Sequence, residues 1–190
     1  MTFRFGLFAL AVSTTFAADY TIDGAHSSVT FSVRHMMVTN VRGQFAGLKG
    51  SISYDPKNLA ASKVEASVEA GSVNTGIVKR DDHLRSADFF DVAKFPTLSF
   101  KSTKWTREGG RIKVAGDLTM HGVTKAVVFD IEGPAPEVKS PDGSMRTGAT
   151  VTGKINRQDF GLKWNRVMEG GGLTVSEEVS ITLDIEATRK

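Results

Sequence analysis

The chain carries four histidines, and histidine is both a common metal ligand and a common general base near neutral pH. His26, His35, His83 and His121 are scattered, with no two at the spacing that sets a pair of imidazoles on one helix face. His83 beside Asp81 and Asp82 is the only concentrated group of donors, and no metal site is assigned. A search for a nucleophile ends at Ser27 next to His26. Adjacent residues on a strand face opposite ways, and no strained nucleophile turn surrounds that serine. The absence of Cys removes thiolate metal centres, disulfides and cysteine nucleophiles. No catalytic residue is assigned.

The remaining charged chemistry is concentrated in KRDDHLRSADFFDVAKF, within residues 78–95, where dense charge runs into the pair Phe89-Phe90 without alternation. A short helix and a loop are expected here, capping one end of the fold. Arg80, Asp81, Asp82, His83, Arg85, Asp88 and Asp91 are expected to pair among themselves and pin that cap; the rival role is recognition of a polar head group. His35 and Lys125 share parity with apolar neighbours. A buried cation needs a carboxylate, an anionic ligand group or a place at a rim, and the rim suits both residues. Arg80, His83 and Lys125 are the head-group candidates.

The elements that would position these groups are strands. After residue 17 the dominant pattern is apolar–polar alternation, the period of a strand with one buried face. Val29, Phe31, Val33 and His35 share one face of the first such run. The next run changes parity at Gly47, which predicts a bulge or bend there. Runs at 64–70, 98–105, 112–118, 123–131, 145–155 and 179–187 follow, with Gly109-Gly110 and His121-Gly122 as turns and an exposed loop through Pro134, Pro136 and Pro141. About eight one-sided antiparallel strands with little helix bury their faces by closing into a barrel or pairing as a sandwich.

Val29, Phe31, Val33, Phe45, Phe100, Val127 and Phe129 supply an apolar interior, and the plainest reading is a dry core. Small residues at interior parity, among them Ala66, Ala70, Gly43, Gly116, Ala149 and Gly153, favour unfilled volume instead. A long apolar cavity would suit an acyl or isoprenoid chain.

The chain has 190 residues, with 24 Lys and Arg against 21 Asp and Glu. That is the size of one domain, with a charge too balanced for a nucleic-acid binder. Residues 1–17 place Arg4, an apolar run from Phe5 to Val12 and Thr15-Phe16-Ala17 in the order of a secretory signal peptide, too short to span a bilayer. Cleavage is expected after Ala17, leaving residues 18–190 as one domain with no integral membrane segment.

The stretches YTIDGAHSSVTFSVRH, SVNTGIVKRDDHLRSADFFDVAKFPTLSFKST, GDLTMHGVTKAVVF and NRQDFGLKWN resemble the YceI-like, polyisoprenoid-binding family, from about Asp19 to Thr188. The resemblance implies a lipocalin-like antiparallel β-barrel, a periplasmic address, a homodimer as one arrangement, and an interior that takes a polyprenyl or fatty-acyl amphiphile, with no cofactor beyond that lipid. It implies no catalytic residues. The expected lipid wall comprises Val29, Phe31, Val33, His35, Phe45, Phe89, Phe90, Phe100, Val127 and Phe129. Two rivals remain. An enzyme acting on a lipid or quinone would need a positioned acid or base at the cavity, and a barrel that binds only a protein partner would have a filled interior.

Overall fold

The computed structural model describes residues 17–169 and 171–189. The expected leader lies outside them except for Ala17. Eleven strands form one antiparallel sheet that closes on itself. β1 (Ala18–Ile22) and β2 (Ser28–His35) both pair with one edge of β11 (Val175–Arg189), so they act as one strand interrupted at residues 23–27. β3 (Thr39–Phe45) and β4 (Lys49–Tyr54) run back along that pair, with Phe45 opposite Val29 and Ile52 opposite Tyr20. Between them Gly47 adopts φ 72°, the left-handed bend expected where the parity changed.

β5 (Lys63–Glu69), β6 (Thr97–Glu108), β7 (Arg111–Met120) and β8 (Val123–Glu132) continue as a meander. β9 is the two-residue Val138–Lys139, and β10 (Met145–Asn156) joins β8 to β11. β10 and β11 stay in register from Arg146↔Thr188 to Asn156↔Glu178 and close the ring. With β1–β2 and β3–β4 each counted as one broken strand, the barrel has the eight strands that the alternation predicted. The turns at Gly109-Gly110 and His121-Gly122 have positive φ at both central residues, the geometry that matches the twist of a two-residue hairpin. No helix among the described residues is long and apolar enough to cross a membrane.

The cap is α1 (Val78–Arg85) with the turns after it. The expected pairing within the cap holds for His83 with Asp88 at 2.8 Å and Arg85 with Asp82 at 3.0 Å. The stronger pins run outward to the 71–75 turn. Arg85 donates to the carbonyls of Gly71 and Val73, both at 2.8 Å, and buried Asp81 accepts from the Thr75 N–H at 2.8 Å and from its hydroxyl. Arg80 donates to the Thr75 hydroxyl and carbonyl. A guanidinium fork can satisfy two carbonyls of an irregular turn, which a lysine cannot do in the same plane.

One expectation is corrected in its cause. Gly43, Gly116 and Gly153 do not leave space, because a phenylalanine ring lies over each. A Cβ added at these glycines would stand 2.4 Å from the ring of Phe31, Phe100 and Phe129, respectively. Phe31 and Gly43 are direct cross-strand partners. The glycines take the rings against the wall, and the space opens further inside.

Gly116→Ala and Gly153→Ala should each destabilise the fold by about 1–3 kcal/mol, as overpacked sites do. Denaturant midpoints measured beside a surface control, Gly143→Ala, check this; Gly143 meets no neighbour within 4 Å but has φ 88°, so its cost comes from backbone strain alone.

Candidate functional site

The barrel encloses a cavity of about 540 Å³ running from the cap to the opposite end. That is within the size range of ligand sites. Along β11 the wall passes through Val179, Ile181, Leu183, Ile185, Ala187 and Arg189. The ten steps of tilted strand from Val179 to Arg189 carry it about 33 Å along the chain, or roughly 25 Å along the barrel axis.

At the capped end Leu84, Phe89 and Phe90 enter the wall, and both phenylalanines are buried. His83 stacks edge-on against Phe89 and Trp164, with centroids 5.0 Å away in each case, and so braces the plug from behind. At the far end the exposed residues Pro56, Lys57, Ala135 and Arg189 belong to the wall, so the cavity reaches solvent there.

Polar groups are few on this wall. At the open end the Tyr20 hydroxyl donates to Glu137 Oε1 at 2.8 Å, and Arg189 Nη1 lies 3.0 Å from Glu137 Oε2. One carboxylate thereby ties the start of β1 and the end of β11 to the loop before β9. Burial first, and then the hydrogen bond to Glu137, push the Tyr20 hydroxyl up to about 12. At the capped end the Arg157 side chain is 4% exposed. It donates to the carbonyls of Ser176, Leu162 and Val175, and burial pulls its pKa below the usual guanidinium range.

Eight of the ten wall residues expected from the sequence line the cavity: Val29, Phe31, Val33, Phe45, Phe89, Phe90, Phe100 and Phe129. Val127 packs on the core cluster, and His35 ends β2, half-buried, away from the wall. Of the head-group candidates, Arg80 and His83 belong to the cap's own bonding, and Lys125 stands exposed on β8. Tyr20, Glu137, Arg157 and Arg189 were not singled out. Tyr20 falls in a quoted family stretch, whereas nothing near Glu137 or Arg189 marks it locally.

Ser27 and the Asp23–His26–Glu186 group are held in structural bonds. The Ser27 hydroxyl bonds the backbone of Glu186, donating to its carbonyl and accepting from its N–H. Asp23, His26 and Glu186 bring three metal-type donors together, but Arg146 already bridges them, with Nη1 2.9 Å from Asp23 and closer still to Glu186. The hydrogen bond from His26 holds the Asp23 carboxyl down near about 2.

The fold and cavity define a lipocalin-like antiparallel barrel with an apolar lumen. The chain belongs to the YceI-like family, whose domain description matches residues 20–187. A UPF0312 protein of Vibrio cholerae is 38% identical over 177 residues, covering 92% of this chain and 89% of that one. A UPF0312 protein of Staphylococcus aureus is 36% identical over 168 residues, covering 88% and 96%. Among solved structures, a YceI protein of Campylobacter jejuni is 32% identical with a TM-score of 0.69, covering 90% of this chain and 98% of that chain. The BcnA protein of Burkholderia cenocepacia shares the fold at 22% identity, with a TM-score of 0.76 and coverage of 88% and 99%. So does a polyisoprenoid binding domain from Saccharophagus degradans at 17% identity, with a TM-score of 0.65 and coverage of 93% and 100%.

Alkaline titration should show one tyrosine ionising near 12. A raised pKa means that the native state holds the proton longer than the unfolded chain does. The associated stability is present below pH 10 and is lost as pH rises from 10 towards 12. Tyr20→Phe should remove that ultraviolet component and cost about 1 kcal/mol at neutral pH, for one lost hydrogen bond.

Proposed function

We propose that this barrel is a periplasmic carrier that holds one long-chain amphiphile non-covalently, a polyisoprenoid or isoprenoid quinone-type chain before a fatty-acyl one. The observation that carries the reading is the continuous apolar lumen, kept clear by rings folded onto glycines. Water there would find few partners, and a hydrocarbon chain would replace it favourably. The Saccharophagus neighbour, described as a polyisoprenoid binding domain, supports the choice of cargo. The layout of residues 1–17 supports export.

Binding in this site is hydrophobic transfer at roughly 25 cal/mol per Å² of apolar surface removed from water. Among the described residues the wall brings no acid, base and nucleophile together: Tyr20, Glu137 and Arg189 bond one another at the open end, Arg157 bonds backbone at the cap, and Thr30, Ser67, Ser99 and the unpartnered Trp105 indole N–H are scattered between. The reading is therefore binding without turnover. The head group would rest at the open end beside Lys57 and Arg189, while Val29, Phe31, Val33, Phe45, Phe100 and Phe129 solvate the chain.

Organic extraction and native mass spectrometry of protein purified from its own compartment should release a stoichiometric long-chain amphiphile. In a homologous series, affinity should rise about fourfold per added methylene, for about 0.8 kcal/mol each, and level off when the lumen is full. Affinity independent of chain length would overturn the reading. Ala149→Trp, which places an indole into the lumen from a small wall residue, should abolish binding while circular dichroism stays that of a folded barrel.

A further inference from the structure

Six of the eight large apolar side chains that stand exposed among the described residues belong to segments gathered at the capped end: Met36, Met37, Val38, Ile77, Val78 and Val167. Their exposures run from 47% to 78%. They are neighbours through the backbone. Met36 N–H bonds the Thr174 carbonyl, and Thr174 N–H bonds the Arg166 carbonyl, which sets the β2–β3 tip beside Arg166 and Thr174. The antiparallel bridge between Gln44 and Asn74 sends the residues after Asn74 along β3 towards that same tip, bringing Ile77 and Val78 to the level of its base.

Two further observations single out this face. Met36 and Met37 have φ of 49° and 61° at the centre of a hairpin turn, where Asn and Gly are the favoured residues. Exposed methionines in a left-handed turn gain nothing from packing, so the fold carries a local strain that its own stability does not require. The surrounding charge is also one-sided. Among the described residues, Arg34, Arg42, Lys79, Lys163 and Arg166 make no salt bridge, while Asp82, Asp88 and Asp91 are engaged by Arg85, His83 and Lys94. Glu169, Asp159 and Glu177, which also make no salt bridge among the described residues, offset three of the five cations.

The geometry points to a membrane-docking face: the β2–β3 tip, the start of α1 and residues 166–169 and 171–174 seat the capped end of the barrel on an anionic lipid surface. Methionines and valines enter the acyl boundary, and the cations around them meet the lipid phosphates. The carrier reading gives this contact its purpose, since the face lies at the same end as the Phe89–Phe90 plug, with Trp164 of the neighbouring segment against Phe89, but docking itself does not depend on cargo.

The test is flotation of the full mature chain with phosphatidylcholine vesicles, with and without phosphatidylglycerol. The native protein should float with the anionic vesicles and be released by high salt. Met36→Asn with Met37→Gly, which gives the turn its preferred residues, should lower vesicle affinity at least tenfold, raise or preserve the melting temperature, and leave chain binding in the lumen unchanged. Lys79→Glu with Arg166→Glu should lower vesicle affinity without the stability gain. Native protein that ignores anionic vesicles, or a turn variant that floats as well as the native one, overturns the inference. Self-association that the turn variant abolishes does so too, by assigning the face to a second copy. The chain-length series uses no vesicle, so its outcome separates failure of docking from failure of the carrier reading.

Discussion

Three phenylalanine rings seated on three glycines keep this barrel hollow. An eight-stranded barrel is just wide enough for its own side chains to fill, and a phenylalanine pointing straight inward would fill much of one level. With Phe31 over Gly43, Phe100 over Gly116 and Phe129 over Gly153, each ring covers the wall of a neighbouring strand. The apolar area of the aromatic is kept while the axis is left open. The wider contacts fit this arrangement: Phe31 tilts against Phe45 at 5.6 Å, and Phe100 meets Phe129 edge-on at 5.3 Å, so the rings support one another as a lining.

A hollow barrel forgoes the packing that a filled one would gain, and the irregular segments at its ends must be held by other means. Here arginines bonded to backbone carbonyls hold them. Arg85 fastens the cap to Gly71 and Val73, and Arg157 fastens the segment after β10 to Leu162, Val175 and Ser176. Both act where the ladder has ended and carbonyls would otherwise lie unpaired near an apolar space. Leaving such a group unpaired costs about 1–3 kcal/mol.

Most of the fold was legible because period-two alternation is a local signal. The eight strands, the bend at Gly47, both two-residue turns and the cap over 78–95 could each be read within a window of a dozen residues. β1 was missed because its alternation stops at Ile22 and the chain leaves the barrel before Ser28. Gly43, Gly116 and Gly153 were recognised as interior, but that a ring covers them is a fact of register between strands. The same limit hid the open end: Tyr20 and Glu137 are 117 residues apart, and only closure of the ring makes them partners. Lys125 shares its parity with Val127 and Phe129 but stands exposed shortly after the His121-Gly122 turn, in keeping with the rim position expected for it.

The two ends of the lumen differ in what opening them would cost. The far end already reaches solvent, and widening it separates Glu137 from Tyr20 and Arg189, at about 1 kcal/mol for the Tyr20 hydrogen bond and at most about 1 kcal/mol for the part-exposed ion pair. At the cap, opening in water would expose Phe89 and Phe90, each worth about 1.5–3 kcal/mol of burial, before any of Arg85's carbonyl bonds is counted. Against hydrocarbon the first of these costs disappears, because acyl chains receive a phenyl ring as readily as a protein interior does. On the docking proposed above, exposing those two rings would therefore cost less against lipid than in water. On the carrier and docking readings proposed above, that asymmetry would set the apolar, cation-rimmed face at the end where contact with a bilayer lowers the apolar cost of admitting a chain.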